Sequence, residues 1–190
     1  MVHFVGAGSG AVDLITVRGA RLLGQCDVVI YAGSLVNLEV LQYCKPSCQV
    51  HDSAKMTLEE VIDVIVRAES QGLTTVRLHT GDSSIYGAVH EQFAELDKRG
   101  IDYDVCPGVS AFCGAAAALR AEYTLPDVSQ TVIITRAAGR TPVPQGQSIR
   151  ELAAHGATMV LFLSTSLTER LQADLLAGGY APDTQAAVVY

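Results

Sequence analysis

No run in this chain is apolar for long enough to span a bilayer. The longest near-continuous one, residues 109–119, reaches roughly half of the ~20 residues that a membrane helix needs. Basic residues are scarce as well: 13 lysines and arginines face 20 acids, for a formal charge of −7. Phosphate binding needs a basic face, so nucleic acid is not expected as a main partner, and neither is a membrane. The first residues run straight into an expected strand at His3-Phe4-Val5, with no basic stretch and no small-residue cleavage site, so no secretion signal is expected. Five cysteines, an odd number at irregular spacing, suit reduced thiols in a cytoplasm rather than a disulfide framework.

Several catalytic signatures are missing too. There is no Gly-Lys-Ser/Thr phosphate loop, internal repeat or low-complexity segment. His90-Glu91 has Ala94 where a zincin helix needs its second histidine. Gly108-Val109-Ser110-Ala111-Phe112 carries phenylalanine where a serine-hydrolase elbow needs glycine. Cys44-x3-Cys48-x2-His51 lacks a good fourth ligand, and no metal is expected. His3, His79 and His155 have no convincing partner in sequence and count as structural.

What the chain does have is a globular composition, 49% apolar and 17% charged over 190 residues, enough for one large domain or two small ones. Strand-like and helix-like runs alternate. Strands are expected at 4–5, 27–31, 49–51, 75–78 and 102–105, and helices at 13–23, 35–41, 57–71, 88–99 and 109–121. In the last of these, Ala115–118 reads as a tightly packed run. Thr57 and Glu60 form an expected capping box, with Gly72 and Gly100 closing helices. Beyond a linker at 122–130, strands are expected at 131–135, 158–163 and 186–190, with helices at 148–155 and 167–177. This alternation predicts an α/β fold with mainly parallel sheets covered on both faces. Two domains are expected, 1–120 and 121–190. The chain stops inside the last expected strand, so the second domain is expected to be incomplete.

Three glycine-bearing loops each follow a strand: Gly6-Ala7-Gly8-Ser9-Gly10, Thr80-Gly81-Asp82-Ser83-Ser84-Ile85-Tyr86-Gly87, and Pro107-Gly108-Val109-Ser110-Ala111. In a parallel sheet the strand carboxyl ends share one edge, and ligands bind there. The loops therefore predict a cradle for a small, flat, polar molecule. Gly6-x-Gly8-x-x-Ala11 formally fits a dinucleotide fingerprint, but the acid it requires, Asp27, precedes the second strand instead of ending it. Asp82 can accept from ribose hydroxyls or offset a cationic ligand, or can simply cap a helix beginning near Ile85. Tyr86 lines a pocket or fills the core. Arg136 and Arg140 stand in a Gly/Pro-stiffened loop, and an arginine fork suits carboxylates.

These motifs, with Asp13-Leu14-Ile15-Thr16-Val17 after the first loop, resemble the tetrapyrrole (class III) S-adenosylmethionine methyltransferases. A second set is similar to the branch of that family acting at C11 of precorrin-4 or cobalt-precorrin-4 in corrin (vitamin B12) biosynthesis. It comprises Tyr31-Ala32-Gly33-Ser34-Leu35-Val36, Thr124-Leu125-Pro126-Asp127, and Thr135-Arg136 with Gly139-Arg140-Thr141-Pro142-Val143-Pro144. The match covers essentially the whole chain. The resemblance implies two α/β domains with S-adenosyl-L-methionine in the cleft between them, a homodimer, and C-methylation of a carboxylate-edged macrocycle. It assigns Gly81, Asp82, Ile85, Tyr86, Ser110, Ala111 and Leu163 to the cofactor, and Arg136 and Arg140 to the substrate. It names no general base. Two family prolines are serines here, Ser9 and Ser83, which is expected to loosen both loops. Methylation at another precorrin or uroporphyrinogen position, NAD-dependent oxidoreduction and a non-catalytic module are the other readings of the same residues.

Overall fold

Five short runs, most of them rich in branched aliphatic residues, build the first sheet: β1 (Val2–Gly6), β2 (Val28–Tyr31), β3 (Gln49–Asp52), β4 (Thr75–His79) and β5 (Tyr103–Cys106). They pair in parallel, in the order β3-β2-β4-β1-β5. Side chains alternate across the pleat, so each strand serves both faces. Val2, Phe4, Val28 and Ile30 pack beneath α2 (Leu58–Ser70) and α3 (His90–Arg99). Val5, Val29, Val76 and Leu78 pack on the other face with Leu23 of α1 (Val17–Gln25) and Val40 of the 3-10 segment Leu38–Tyr43.

The helices that follow β1 and β4 thus lie on opposite faces, while the two strands are neighbours. Their loops leave the sheet in opposite directions, and this is the switch point at which a parallel sheet opens a crevice.

The computed structural model describes residues 1–139 and 141–189, and the chain divides into two units, Met1–Gly114 and Ala115–Tyr190. The second unit has a two-stranded parallel sheet of β6 (Val132–Arg136) and β7 (Thr158–Phe162), with α5 (Ile149–Ala153) and α6 (Thr168–Ala177). Both α2 and α5 open on complete capping boxes, Thr57 with Glu60 and Ser148 with Glu151. Gly72 and Gly100 follow α2 and α3 with φ of 68° and 63°, a left-handed backbone that glycine adopts without steric cost. Among the described residues no helix is long and apolar enough to cross a membrane.

Several boundaries differ from expectation. The run 13–23 is split: a 3-10 turn covers Val12–Leu14, and Thr16 then caps α1, its Oγ1 accepting from the Gly19 amide at 3.0 Å. The segment 35–41 becomes the 3-10 turns Gly33–Leu35 and Leu38–Tyr43, the second capped by Asn37. The helix α4 (Ala111–Leu119) has no buried residue, although Gly114 packs closely on Ser9. Alanine favours helix strongly and has little apolar surface to hide, so such a run forms helix without needing a core. Residues 186–189 form no strand and are exposed. Apolar content cannot make a strand without a neighbour to complete its ladder, and among the described residues they have none.

Candidate functional site

The three loops converge where β1, β4 and β5 end. Contact there is glycine on glycine. A Cβ on Gly6 would lie 2.5 Å from the Gly81 carbonyl oxygen and 2.6 Å from the Gly108 Cα, and one on Gly108 would lie 2.1 Å from the same oxygen. The first and second loops are also bridged. Gly81 N donates to Gly8 O at 2.9 Å, Gly8 N donates to Gly81 O at 3.3 Å, and Ala7 N donates to His79 O at 2.7 Å. Gly81 has φ +57° and backs onto Ser110 and Ala111, whose backbone atoms lie 3.2–3.8 Å from where its Cβ would stand.

Asp82 ties the second loop to the third. Its Oδ2 accepts from the Gly108 amide at 2.8 Å, and its Oδ1 accepts from the Ser84 amide at 2.9 Å and from the Ser84 hydroxyl. Burial opposes the charged form, yet these donors outweigh it and hold the carboxyl below its ordinary range. No helix begins at Ile85. Residues 83–86 form a turn, with the Ile85 amide donating to Asp82 O, and α3 starts only at His90. Tyr86 and Ala88 hold φ of 55° and 48°, so the strand-to-helix connection carries two non-glycine residues in the left-handed region. Gly87 cannot be replaced between them, because a Cβ would sit 2.2 Å from the Ser83 carbonyl oxygen. The two serines in proline positions do not leave the loops unsupported. Ser83 is buried, and Ser9 packs so closely on α4 that a Cβ on Gly114 would lie 2.4 Å from its hydroxyl.

This bracing gives a first expected result. In Asp82→Asn the amide NH2 must face an N–H donor, so one loop contact is lost and stability falls by about 1–2 kcal/mol in urea unfolding. Ser84→Ala, which leaves the Gly108 contact in place, should cost less. An Asp82→Asn curve superimposable on the parent would remove the brace.

Beneath the rim on the α2/α3 face lies a feature that the sequence reading missed. Arg77 projects from the middle of β4, is 6% exposed and makes no ion pair among the described residues. Its Nε donates to Gln92 Oε1 at 3.0 Å and its Nη1 to Ile30 O at 2.9 Å, and burial pushes its pKa down to about 10. Arg77 and Gln92 share a cavity of about 270 Å³ with Ser53, Thr57 and Glu91. An arginine between Val76 and Leu78 in a strand was the available signal. His79, two residues on, is also buried, and its Nε2 has no hydrogen-bond partner among the described residues. His3 does have one: its Nδ1 pairs with Asp104 Oδ1 at 2.6 Å, and Arg18 takes the other oxygen.

Asp27 lies at the amino end of β2, the edge away from the rim. It receives Lys45 Nζ at 2.5 Å and the Thr74 amide at 2.9 Å, so it holds strand ends together and offers nothing to a ribose. Cys44 and Cys48 meet at that same edge, and their third partner is Cys26 rather than His51.

In the second unit, Arg136 ends β6. Its guanidinium turns back on its own loop, donating to the carbonyls of Ala137, Thr141 and Pro142 at 3.0–3.2 Å. Leu163 follows β7 with φ +54° and is 67% exposed, a strained and solvent-facing leucine. The next residue is anchored: Ser164 Oγ donates to Phe162 O and accepts from the Ala137 amide. Arg140 lies outside the described residues. So Gly81, Asp82, Ile85, Tyr86, Ser110 and Ala111 share one edge of the first unit, while Arg136 and Leu163 share the carboxyl edge of the second unit's sheet.

Comparison with known proteins agrees with this architecture. The family model described as Tetrapyrrole (Corrin/Porphyrin) Methylases matches residues 1–190. The cobalt-precorrin-4 C(11)-methyltransferase of Methanocaldococcus jannaschii is 52% identical over 189 residues, covering 100% of this chain and 73% of that protein. The precorrin-4 C(11)-methyltransferase of Mycobacterium tuberculosis is 47% identical, covering 99% of this chain and 75% of that one. The crystal structure of a cobalt precorrin-4 methyltransferase superposes with a TM-score of 0.92 at 44% identity, covering 95% of this chain and 75% of that one. A switch-point rim built of three glycine loops, on a chain this similar over its full length, makes the protein a member of the tetrapyrrole (corrin/porphyrin) methylases.

Proposed function

We propose that the chain transfers a methyl group from S-adenosyl-L-methionine to C11 of precorrin-4 or cobalt-precorrin-4, in corrin biosynthesis. The observation that carries this is the glycine rim, where Gly6 and Gly108 leave no room for a side chain and bring the loops after β1, β4 and β5 together at the carboxyl edge, where ligands of parallel sheets bind. The residue types present suit the donor: Ala7, Gly8, Gly10, Leu35, Asn37 and Thr80 beside the rim offer a mixture of apolar surface and amide groups, around a hollow of only about 10 Å³. Ser9 Oγ is buried with no partner among the described residues, a hydroxyl still able to donate. Asp82 keeps a full negative charge at the rim, suited to ribose hydroxyls and to offsetting a cation.

When bound, the donor supplies an electrophilic methyl on a sulfonium, which an electron-rich ring carbon can take in an in-line displacement. Such a step asks the protein for alignment and exclusion of water more than for a nucleophile. Gly81, Asp82, Ile85, Tyr86, Ser110 and Ala111 hold the donor in this reading, with Leu163 as an apolar wall. Arg136 and Arg140 meet the carboxylates of the macrocycle. The protein works as a cytoplasmic homodimer.

Incubation with labelled S-adenosyl-L-methionine and either precorrin-4 or cobalt-precorrin-4 should add one methyl group, located at C11 by mass spectrometry and NMR. Arg136→Ala should raise KM for the macrocycle about tenfold or more while the Kd for S-adenosylhomocysteine stays put. No methyl gain on either ring would end the proposal, and an unchanged KM would remove Arg136 from it.

A further inference from the structure

Three thiols from three segments meet at the amino-terminal edge of the first sheet. Cys26 follows α1, Cys44 closes the 3-10 segment Leu38–Tyr43, and Cys48 immediately precedes β3. Their sulfur atoms all lie within 4.8 Å of one another, and Cys26 and Cys48 are 3.6 Å apart. We propose that this trithiol pocket binds one thiophilic d10 cation, Zn2+ or Cu+, through the Sγ atoms of Cys26, Cys44 and Cys48.

The spacing is what such a cation requires. Metal–sulfur bonds of about 2.3 Å put the sulfurs of a tetrahedral or trigonal site roughly 3.8–4.0 Å apart. Separations from 3.6 to 4.8 Å bracket that value, so coordination needs only small side-chain rotations. A disulfide needs about 2.05 Å, a much larger move, and would leave the third thiol unexplained. Each cysteine is fixed by its backbone: the Cys26 amide donates to Leu22 O at 3.0 Å, that of Cys44 to Leu41 O at 2.9 Å, and that of Cys48 to Lys45 O at 2.9 Å. The ligand set is therefore arranged before the cation arrives.

Charge and access agree. Three thiolates around Zn2+ leave one negative charge, and around Cu+ two. The Lys45 ammonium, next in sequence to Cys44 and held by Asp27 at 2.5 Å, brings a positive charge to this edge. Cys26 is fully buried among Leu23 and its neighbours while Cys44 and Cys48 are half-buried, which opens one side to solvent. Binding exchanges the remaining thiol protons for the cation and moves no electrons. Softness selects the metal: three sulfur donors with no oxygen or nitrogen among them favour Zn2+ and Cu+ over harder ions.

The test uses the full chain, reduced and stripped of metal under anaerobic conditions. It is titrated with Zn2+ or Cu+ against a chromophoric chelator, with Co2+ as a spectroscopic probe of thiolate ligation. The expected result is one cation per chain, thiolate-to-cobalt charge-transfer absorption, and a rise in Tm on loading. Cys44→Ser and Cys48→Ser, at half-buried positions where serine is tolerated, should each weaken binding about a hundredfold or more, while Cys113→Ser, outside the pocket, leaves it unchanged. Circular dichroism of the variants separates loss of ligand from loss of fold. Tight binding of one cation and not the other identifies the occupant. Stoichiometric binding of neither, binding that survives Cys48→Ser in a folded variant, or oxidation to a Cys26–Cys48 disulfide in place of metal uptake would overturn the proposal.

Discussion

Gly108→Ala should lower the free energy of unfolding by more than about 3 kcal/mol and abolish measurable binding of S-adenosylhomocysteine. The new Cβ would stand 2.1 Å from the Gly81 carbonyl oxygen and 2.7 Å from the Gly6 Cα. Every atom it meets is backbone, so no side-chain rotation relieves the clash, and the loops after β1, β4 and β5 must separate. Separation breaks the Asp82 contact to the Gly108 amide and the paired bonds between Gly8 and Gly81. Gly6→Ala meets the same atoms from the other side and should behave alike. Gly139→Ala provides the contrast: nothing lies within 4 Å of its added carbon and its φ is not positive, so the change should fall within about 0.5 kcal/mol. Urea unfolding and calorimetric titration read both effects. Parent-like stability and affinity in Gly108→Ala would show that the loops do not meet as described.

The second large effect is on pH dependence. His79 is 4% exposed, its Nε2 has no partner among the described residues, and burial together with the Arg77 charge takes its pKa from the ordinary 6.5 down to about 3. The unfolded chain takes up a proton near pH 6.5, whereas the folded one resists until about pH 3. Across that window the unfolded state holds more protons, so acid favours unfolding. The contribution is intact above pH 6.5 and is lost as pH falls, by up to about 1.4 kcal/mol for each pH unit. Between pH 6.5 and 5, above the range where carboxylates titrate, stability should drop by roughly 2 kcal/mol. His79→Gln should flatten that slope even if it lowers stability overall. A parent protein equally stable at pH 7.5 and pH 5 would mean that His79 accepts its proton in the folded state.

Local pattern explains why so much of the architecture could be read from the chain. The capping box of Thr57 and Glu60, the glycines at 72 and 100, and the β-α alternation are signals confined to a few neighbouring residues, and the elements they predict are present. The convergence of the three glycine loops also followed, because parallel strands necessarily share a carboxyl edge. What could not be read was contact between distant residues. Arg77 with Gln92, Asp82 with the Gly108 amide, and Cys26 with Cys44 and Cys48 depend on strand order and helix placement, which no local period encodes. The apolar run at 186–189 misled for the opposite reason, since its local pattern suits a strand but a strand exists only beside another, and Tyr190 lies outside the described residues.

The order of strands also sets a timetable. β1 lies between β4 and β5, with Val2 opposite Thr75 on one side and Tyr103 on the other. On a ribosome, β1 is made before both of its partners and therefore waits until they, some seventy to a hundred residues later in the sequence, have emerged. Until then its apolar edges are open to wrong neighbours. Closing such long intervals is slow and exposes nascent chains to aggregation. An interior strand of the first unit is thus completed by its own latecomers, and its assembly depends on whatever shields Phe4 and Val5 in the interval.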